Sequence, residues 1–344
     1  AAMPVDFQRH LGLFTALILI HNVFAATQDV AIDALAVNVL RSREMGLANG
    51  LMFGGQYLGI ALGGSGVLLL TPWLGFQATF VVVAAAIAAI TILVPLPMRE
   101  PPGPPRERPP GRALAAVGAE LRTFVRGAFR AFTGSRDAFL AIPLALLPMG
   151  AYALSFSLQS NVAVEIGLSD RQIGTLGLLS TLLSGGFCVL GGHLSDRFGR
   201  RRTLAIFIAA TALPTLALAL VLNHHGWVMP VDPTAAGRPA APEGLVLWFW
   251  LLVLAYAVTQ GLMYGVGTAI FMDVTTPAVA ATQFTAYMAL SNTVFAYSST
   301  WQGHAIQGWG YPATLGVDAA FGMVSLLVLR FMGPTRLERR RDEP

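Results

Sequence analysis

The chain contains no lysine. All 22 of its basic residues are arginines, and together with 18 acids they bring the charged fraction to only 12% of 344 positions, about half of what a soluble domain carries. So few charges cannot cover a water-exposed surface, which argues against a soluble enzyme. A single cysteine, Cys188, excludes a disulfide framework and a thiolate metal cage. No P-loop, GxSxG, HExxH or dinucleotide-binding fingerprint occurs, so nucleotide hydrolysis and hydrolase chemistry have no residues to carry them. His224-His225 has no carboxylate at ligand spacing, and neither a metal nor a cofactor is expected. What abounds is apolar: 55% of residues are hydrophobic, and the 36 glycines and 21 prolines sit among long apolar runs. Disorder and collagen-like repeats are thereby excluded as well.

A bilayer core of about 30 Å takes roughly 20 apolar residues per helix. Nine such runs are expected, over residues 11–40, 45–70, 76–97, 138–163, 171–194, 203–222, 245–271, 280–304 and 311–332, which predicts an all-α transmembrane protein. With the C-terminus inside, 19 arginines fall in cytoplasmic loops and only Arg9, Arg171 and Arg238 outside. The positive-inside rule then sets the C-terminus in the cytoplasm and residue 1 outside. Residues 46–80 and 281–315 overlay without a gap at an offset of 235, marked by Gly75/Gly310, Ala78/Ala313 and Thr79/Thr314. This repeat makes spans four to nine one six-helix half and leaves the first three as the remainder of an earlier half. Roughly a hundred residues and three helices are expected upstream of residue 1 by that arithmetic; a nine-helix protein is the alternative.

The expected divisions are a partial N-terminal bundle over 1–97, a cytoplasmic linker over 98–137, a six-helix bundle over 138–333 and a basic cytoplasmic tail over 334–344. In the linker, Pro101-Pro102-Gly103-Pro104-Pro105 reads as a stiff extended stretch. Leu114, Val117, Leu121, Phe124, Val125 and Phe132 then fall on one helical face, with Arg122, Arg126 and Arg130 on another. That pattern suits a helix lying on an anionic leaflet.

Polar side chains inside a span face a cavity or a partner, because lipid cannot satisfy them. On the first span Asn22, Asp29 and Asp33 form one stripe with His21 a quarter-turn away. One reading is a proton-binding stripe with Asp29, Asp33 and His21 as coupling groups; the other pairs the carboxylates with Arg41 and Arg43. Tyr152, Ser155 and Gln159 share a face of the fourth span, continued by Asn161, and Tyr256, Gln260 and Tyr264 recur every four residues on the seventh. Aromatic and amide groups of this kind bind sugars and peptides, or pack helix against helix. Glycine pairs at 54–55, 63–64 and 185–186 are expected at close helix contacts. Asp273 is expected to cap a helix end, and Asp318 and Glu165 to be structural.

After the fifth span comes Gly192-His193-Leu194-Ser195-Asp196-Arg197-Phe198-Gly199-Arg200-Arg201. It resembles, position by position, the G-x-L-x-D-R-x-G-R-R loop signature of the major facilitator superfamily. The resemblance implies a two-bundle fold of twelve helices, of which this chain carries helices four to twelve, with Gly192, Asp196, Arg197, Gly199, Arg200 and Arg201 forming a conformational gate. Residues 25–34 (AATQDVAIDA), 75–80 (GFQATF) and the pair of stretches 271–273 and 281–285 resemble the AmpG-like muropeptide permeases and their acetyl-CoA transporter relatives. Gln28 belongs to the T-Q-D part of that pattern, which implies a hydrogen bond to substrate or to a neighbouring helix. By the same resemblance the fourth and seventh spans line a central cavity.

The expected function is a proton-coupled secondary transporter that imports anhydro-muropeptides across the bacterial inner membrane. Its expected partners are protons, a small sugar–peptide substrate and the lipid bilayer, without nucleic acid and as a monomer. A drug or metabolite exporter, an acetyl-CoA carrier and a non-transporting membrane scaffold are the alternatives.

Overall fold

The computed structural model describes residues 10–40, 44–98, 113–155, 157–233, 235, 239–276 and 279–333. Arg41, Arg43, the proline stretch and the tail over 334–344 lie outside them, as do the side chains of Leu114, Val117, Leu121 and Phe124. Among the described residues all regular structure is helical. The helices are α1 (Leu11–Val39), α2 (Met45–Ile60), α3 (Val67–Leu74), α4 (Phe76–Leu93), α5 (Ala113–Thr133), α6 (Arg136–Leu146), α7 (Ser157–Glu165), α8 (Asp170–Phe198), α9 (Arg200–His224), α10 (Glu243–Val274) and α11 (Ala280–Phe331). Five of these, α1, α8, α9, α10 and α11, are long and apolar enough to cross a membrane by length and composition. A π-helical turn, Ala61–Gly66, joins α2 to α3.

The 52 residues of α11 exceed one crossing, and the helix bends at Gly310, whose φ of 78° only glycine adopts without strain. Gly75 separates α3 from α4 with φ of 77°. These two glycines are the sequence repeat's signposts, and α2 and α11 begin at residues 45 and 280, the same 235 apart. The repeat is therefore present in backbone conformation as well as in residue type.

The fourth expected span is not one helix. Pro148 forces Leu147 into extended backbone (φ −101°, ψ 148°), and Gly150 follows at φ 97°, so α6 stops at Leu146 and α7 starts only at Ser157. Backbone groups freed at membrane depth must find partners inside the protein. Four donors here have one. Gly150 N–H donates to Gly322 O, Ala151 N–H to Thr211 Oγ1 at 3.0 Å, and Tyr152 and Ala153 N–H to Asp318 Oδ2 at 2.8 and 2.9 Å. A Cβ at Gly322 would lie 2.2 Å from Gly150 C, so the last arm of α11 runs directly against the break.

Two apolar cores lie on either side of this polar level. One gathers Ala36, Leu144, Leu204, Ile270, Phe271, Phe284 and Tyr287 near the arginine-bearing helix ends. The other gathers Leu158, Leu176, Leu222, Phe249 and Leu315 near the opposite ends. Helix α8 lies between α2 and α10 and touches both through glycine. A Cβ at Gly46, Gly50 or Gly54 would meet α8 at 2.4, 2.8 and 2.8 Å, and one at Gly261 or Gly265 would meet it from α10 at 2.3 and 2.4 Å. Spacing of four residues keeps these glycines on one face, so backbones approach as closely as helices can. Of the expected glycine pairs, Gly54 and Gly185 make such contacts, whereas Gly55, Gly63, Gly64 and Gly186 face open space.

Candidate functional site

Tyr256, Gln260 and Tyr264 of α10 stand one turn apart, and all three line a cavity of about 890 Å³. Ser155 and Gln159 line it from the break and α7, Gln56 and Tyr57 from α2, Ser180, Thr181 and Ser184 from α8, and Asn292 and Phe295 from α11. The size lies within the range of about 300–1,000 Å³ usual for small-molecule sites. Among the described residues its lining is neutral: rings, amides and hydroxyls with a few aliphatic side chains.

The polar groups are fixed by one another. Tyr256 O–H donates to Ala151 O at 2.7 Å and lies 2.6 Å from Ser155 Oγ, tying the cavity wall to the break. Tyr57 O–H donates to Gln260 Oε1 at 2.9 Å. Phe53 and Tyr57 meet the Tyr264 ring edge-to-face at 5.1 and 6.1 Å, a favoured aromatic geometry that holds the ring in place. Such preorganised rings can stack on sugar faces while amides bond hydroxyl and peptide groups.

The sequence-predicted residues divide. Ser155, Gln159, Tyr256, Gln260 and Tyr264 converge on the cavity. Tyr152 does not share their face, because the helix is broken there. Its ring is buried edge-to-face on Phe295 at 5.0 Å, and its backbone is held by Asp318. Asn161 is exposed at the far side of α7. On α1, His21, Asn22, Gln28 and Asp29 are exposed and Asp33 is buried; Asp29 and Asp33 lie within electrostatic reach of Tyr264 but outside the cavity lining. Gln56, Tyr57 and Thr181 were missed by sequence reasoning; an amide and a phenol in the middle of the apolar run of α2 were the available signal.

The loop signature forms a second cluster, at the arginine-bearing end. Gly199 (φ 94°) turns the chain from α8 into α9. Asp196 then reaches across to α2, accepting the Gly46 N–H at 3.1 Å on Oδ1 and the Leu47 N–H at 2.8 Å on Oδ2. Helix α2 has no side-chain cap of its own, so Asp196 satisfies its orphan donors and faces the positive end of its dipole. Arg200, fully buried, bridges Asp196 Oδ1 at 3.0 Å and Asp273 Oδ2 at 2.5 Å. Asp273 is thus an ion-pair partner rather than a helix cap, and Arg200 is enclosed rather than solvated like an anchoring arginine. Arg197 lies over Phe198, and Arg201 donates to Arg330 O. Helices α2 and α8 are in glycine contact along the same seam.

A membrane-embedded helical bundle with a neutral cavity above such a clasp belongs to a known class. The sequence profile of the Major Facilitator Superfamily matches residues 1–229 and again 140–344, and the chain belongs to that family of multi-pass membrane transport proteins. It is 26% identical over 336 residues to the anhydromuropeptide permeases of Escherichia coli strains K12 and O157:H7, covering 93% of this chain and 60% of each permease. It is also 35% identical over 118 residues to the sucrose transport protein SUC4 of Arabidopsis thaliana, covering 32% of this chain and 22% of that protein. The chain thus spans about 60% of the length of the permeases it matches.

Proposed function

We propose that this chain carries the greater part of a proton-coupled secondary transporter that moves anhydro-muropeptides by alternating access, importing them across the bacterial inner membrane. The observation that carries the substrate is the neutral cavity of rings, amides and hydroxyls. A sugar–peptide presents ring faces for stacking and amides and hydroxyls for hydrogen bonding, whereas the phosphates of acetyl-CoA call for cationic partners absent from the described lining. The likeness to an anhydromuropeptide permease supports the same class. The sucrose transport protein, matched over a shorter stretch, is named for another sugar-bearing cargo.

In this reading the two bundles over 1–97 and 138–333 rock against each other about the α2–α8 seam. The clasp of Asp196 on α2 stabilises the state closed at the arginine-bearing end, taken as cytoplasmic by its charge. Releasing it exposes the cavity on that side. Asp29, Asp33 and His21 on α1 remain coupling candidates of the first bundle, and Asn22 and Gln28 binding candidates there. The test is uptake of labelled anhydro-muropeptide by inner-membrane vesicles holding the full-length protein, with and without an inward proton gradient. Gradient-dependent uptake that sucrose does not compete supports the reading. Absence of uptake by correctly inserted protein overturns the cargo.

A further inference from the structure

Asp318 on the last arm of α11 is buried, and every contact it makes is with a neutral group. Its Oδ2 accepts the Tyr152 and Ala153 N–H groups, and its Oδ1 accepts Gln302 Nε2 at 2.8 Å. The titratable groups facing it are the phenols of Tyr152 and Tyr256; Gln302 comes from the first arm of α11, and α9 contributes Thr211 to the same level. Asp196 and Asp273, by contrast, are paired with the buried Arg200.

We propose that Asp318 is a proton-binding site whose occupancy sets how firmly the break between α6 and α7 is held. This use of the site rests on the transport reading, but the site itself does not. Gln302 makes the pair compatible with both protonation states, since an amide can present either its NH2 or its carbonyl oxygen. With Asp318 ionised, Gln302 donates to Oδ1. When a proton binds Oδ1, the new O–H donates to Gln302 Oε1 after the amide turns over, so that the acid's new donor faces an acceptor. Oδ2 stays with Tyr152 and Ala153 in both states, but as part of a neutral acid. Charge-assisted hydrogen bonds are roughly twice as strong as neutral ones, so protonation loosens the two bonds that fix the break. The break carries Ser155 and, through Ala151 O, holds Tyr256, so the loosening reaches the cavity wall directly. Loss of the proton to water on the other side restores the grip.

The test uses full-length protein in lipid, titrated by infrared spectroscopy and by hydrogen exchange at residues 150–155. A protonated-carboxyl band is expected on acidification, absent in Asp318→Asn and displaced in Gln302→Leu, which keeps the acid but removes its partner. As the band appears, exchange of the Tyr152 and Ala153 amides, corrected for intrinsic rate, is expected to rise about fivefold or more, as bonds that lose charge assistance open more often. A band unchanged in both variants, or exchange that ignores pH, overturns the proposal. Wild-type protein that titrates in this way yet takes up no labelled anhydro-muropeptide leaves the proton site standing and overturns the muropeptide reading alone.

Discussion

Arg200 is the side chain on which most charge depends. It is fully buried between two carboxylates, and removing one partner of such a group leaves uncompensated charge in a low-dielectric site. Arg200→Ala is expected to cost about 3–5 kcal/mol, seen as a lowered melting temperature in detergent. Arg201→Ala, which gives up one bond to a backbone carbonyl at the surface, is expected to shift it little. In the cavity, Gln260→Leu removes the acceptor of Tyr57 O–H and an amide available to substrate. Its expected effect is about a 5- to 30-fold rise in apparent KM for anhydro-muropeptide uptake, the size of one or two lost hydrogen bonds. Unchanged KM would remove Gln260 from the binding wall.

At the scale of elements, the break between α6 and α7 and the glycine seam of α2 decide the geometry. Gly150→Ala puts a Cβ at positive φ and 2.3 Å from Thr211 Oγ1, and an expected loss of about 2–4 kcal/mol should appear in chemical unfolding of the detergent-solubilised protein. Gly50→Val drives a side chain into the α8 backbone at Cys188. The closed seam should then be inaccessible, and spin labels at Leu47 and His193, near the facing ends of α2 and α8, should report a longer distance than in the parent protein. Most of the spans, the broken fourth excepted, were legible because apolar length in a bilayer leaves few alternatives to a helix. Tyr256, Gln260 and Tyr264 were legible because regular periodicity survives into the structure. Tyr152 was not, since a periodicity argument presumes an unbroken helix and Pro148 with Gly150 breaks it. The partner of Asp196 was also beyond sequence reasoning: it is a pair of backbone N–H groups 150 residues away, and backbone donors leave no mark on residue type.

For the whole molecule, the arginine-bearing ends are proposed to face the cytoplasm. Cysteines placed at Asp170 and at His193, in a chain with Cys188 replaced by serine, mark the two ends of α8. An impermeant maleimide added to intact cells should label the first at once and the second only after permeabilisation; the reverse pattern would invert the topology. The 235-residue correspondence of Gly75 with Gly310 also means that the α3–α4 turn and the α11 bend are built alike. In the rocking proposed above, each bundle would then pivot as a block, keeping its own corner while the seam between α2 and α8 parts.

Cys188 sits where that parting is felt. Its carbonyl oxygen is approached from both sides, by Gly50 of α2 and by Gly265 of α10, and the thiol is buried below the cavity. In the rocking proposed above, this sulfhydryl is a reporter already present at the seam, shielded while the helices are pressed together. The rate at which Cys188 reacts with a thiol reagent is then expected to follow how often the helices part, read at a side chain the protein already carries.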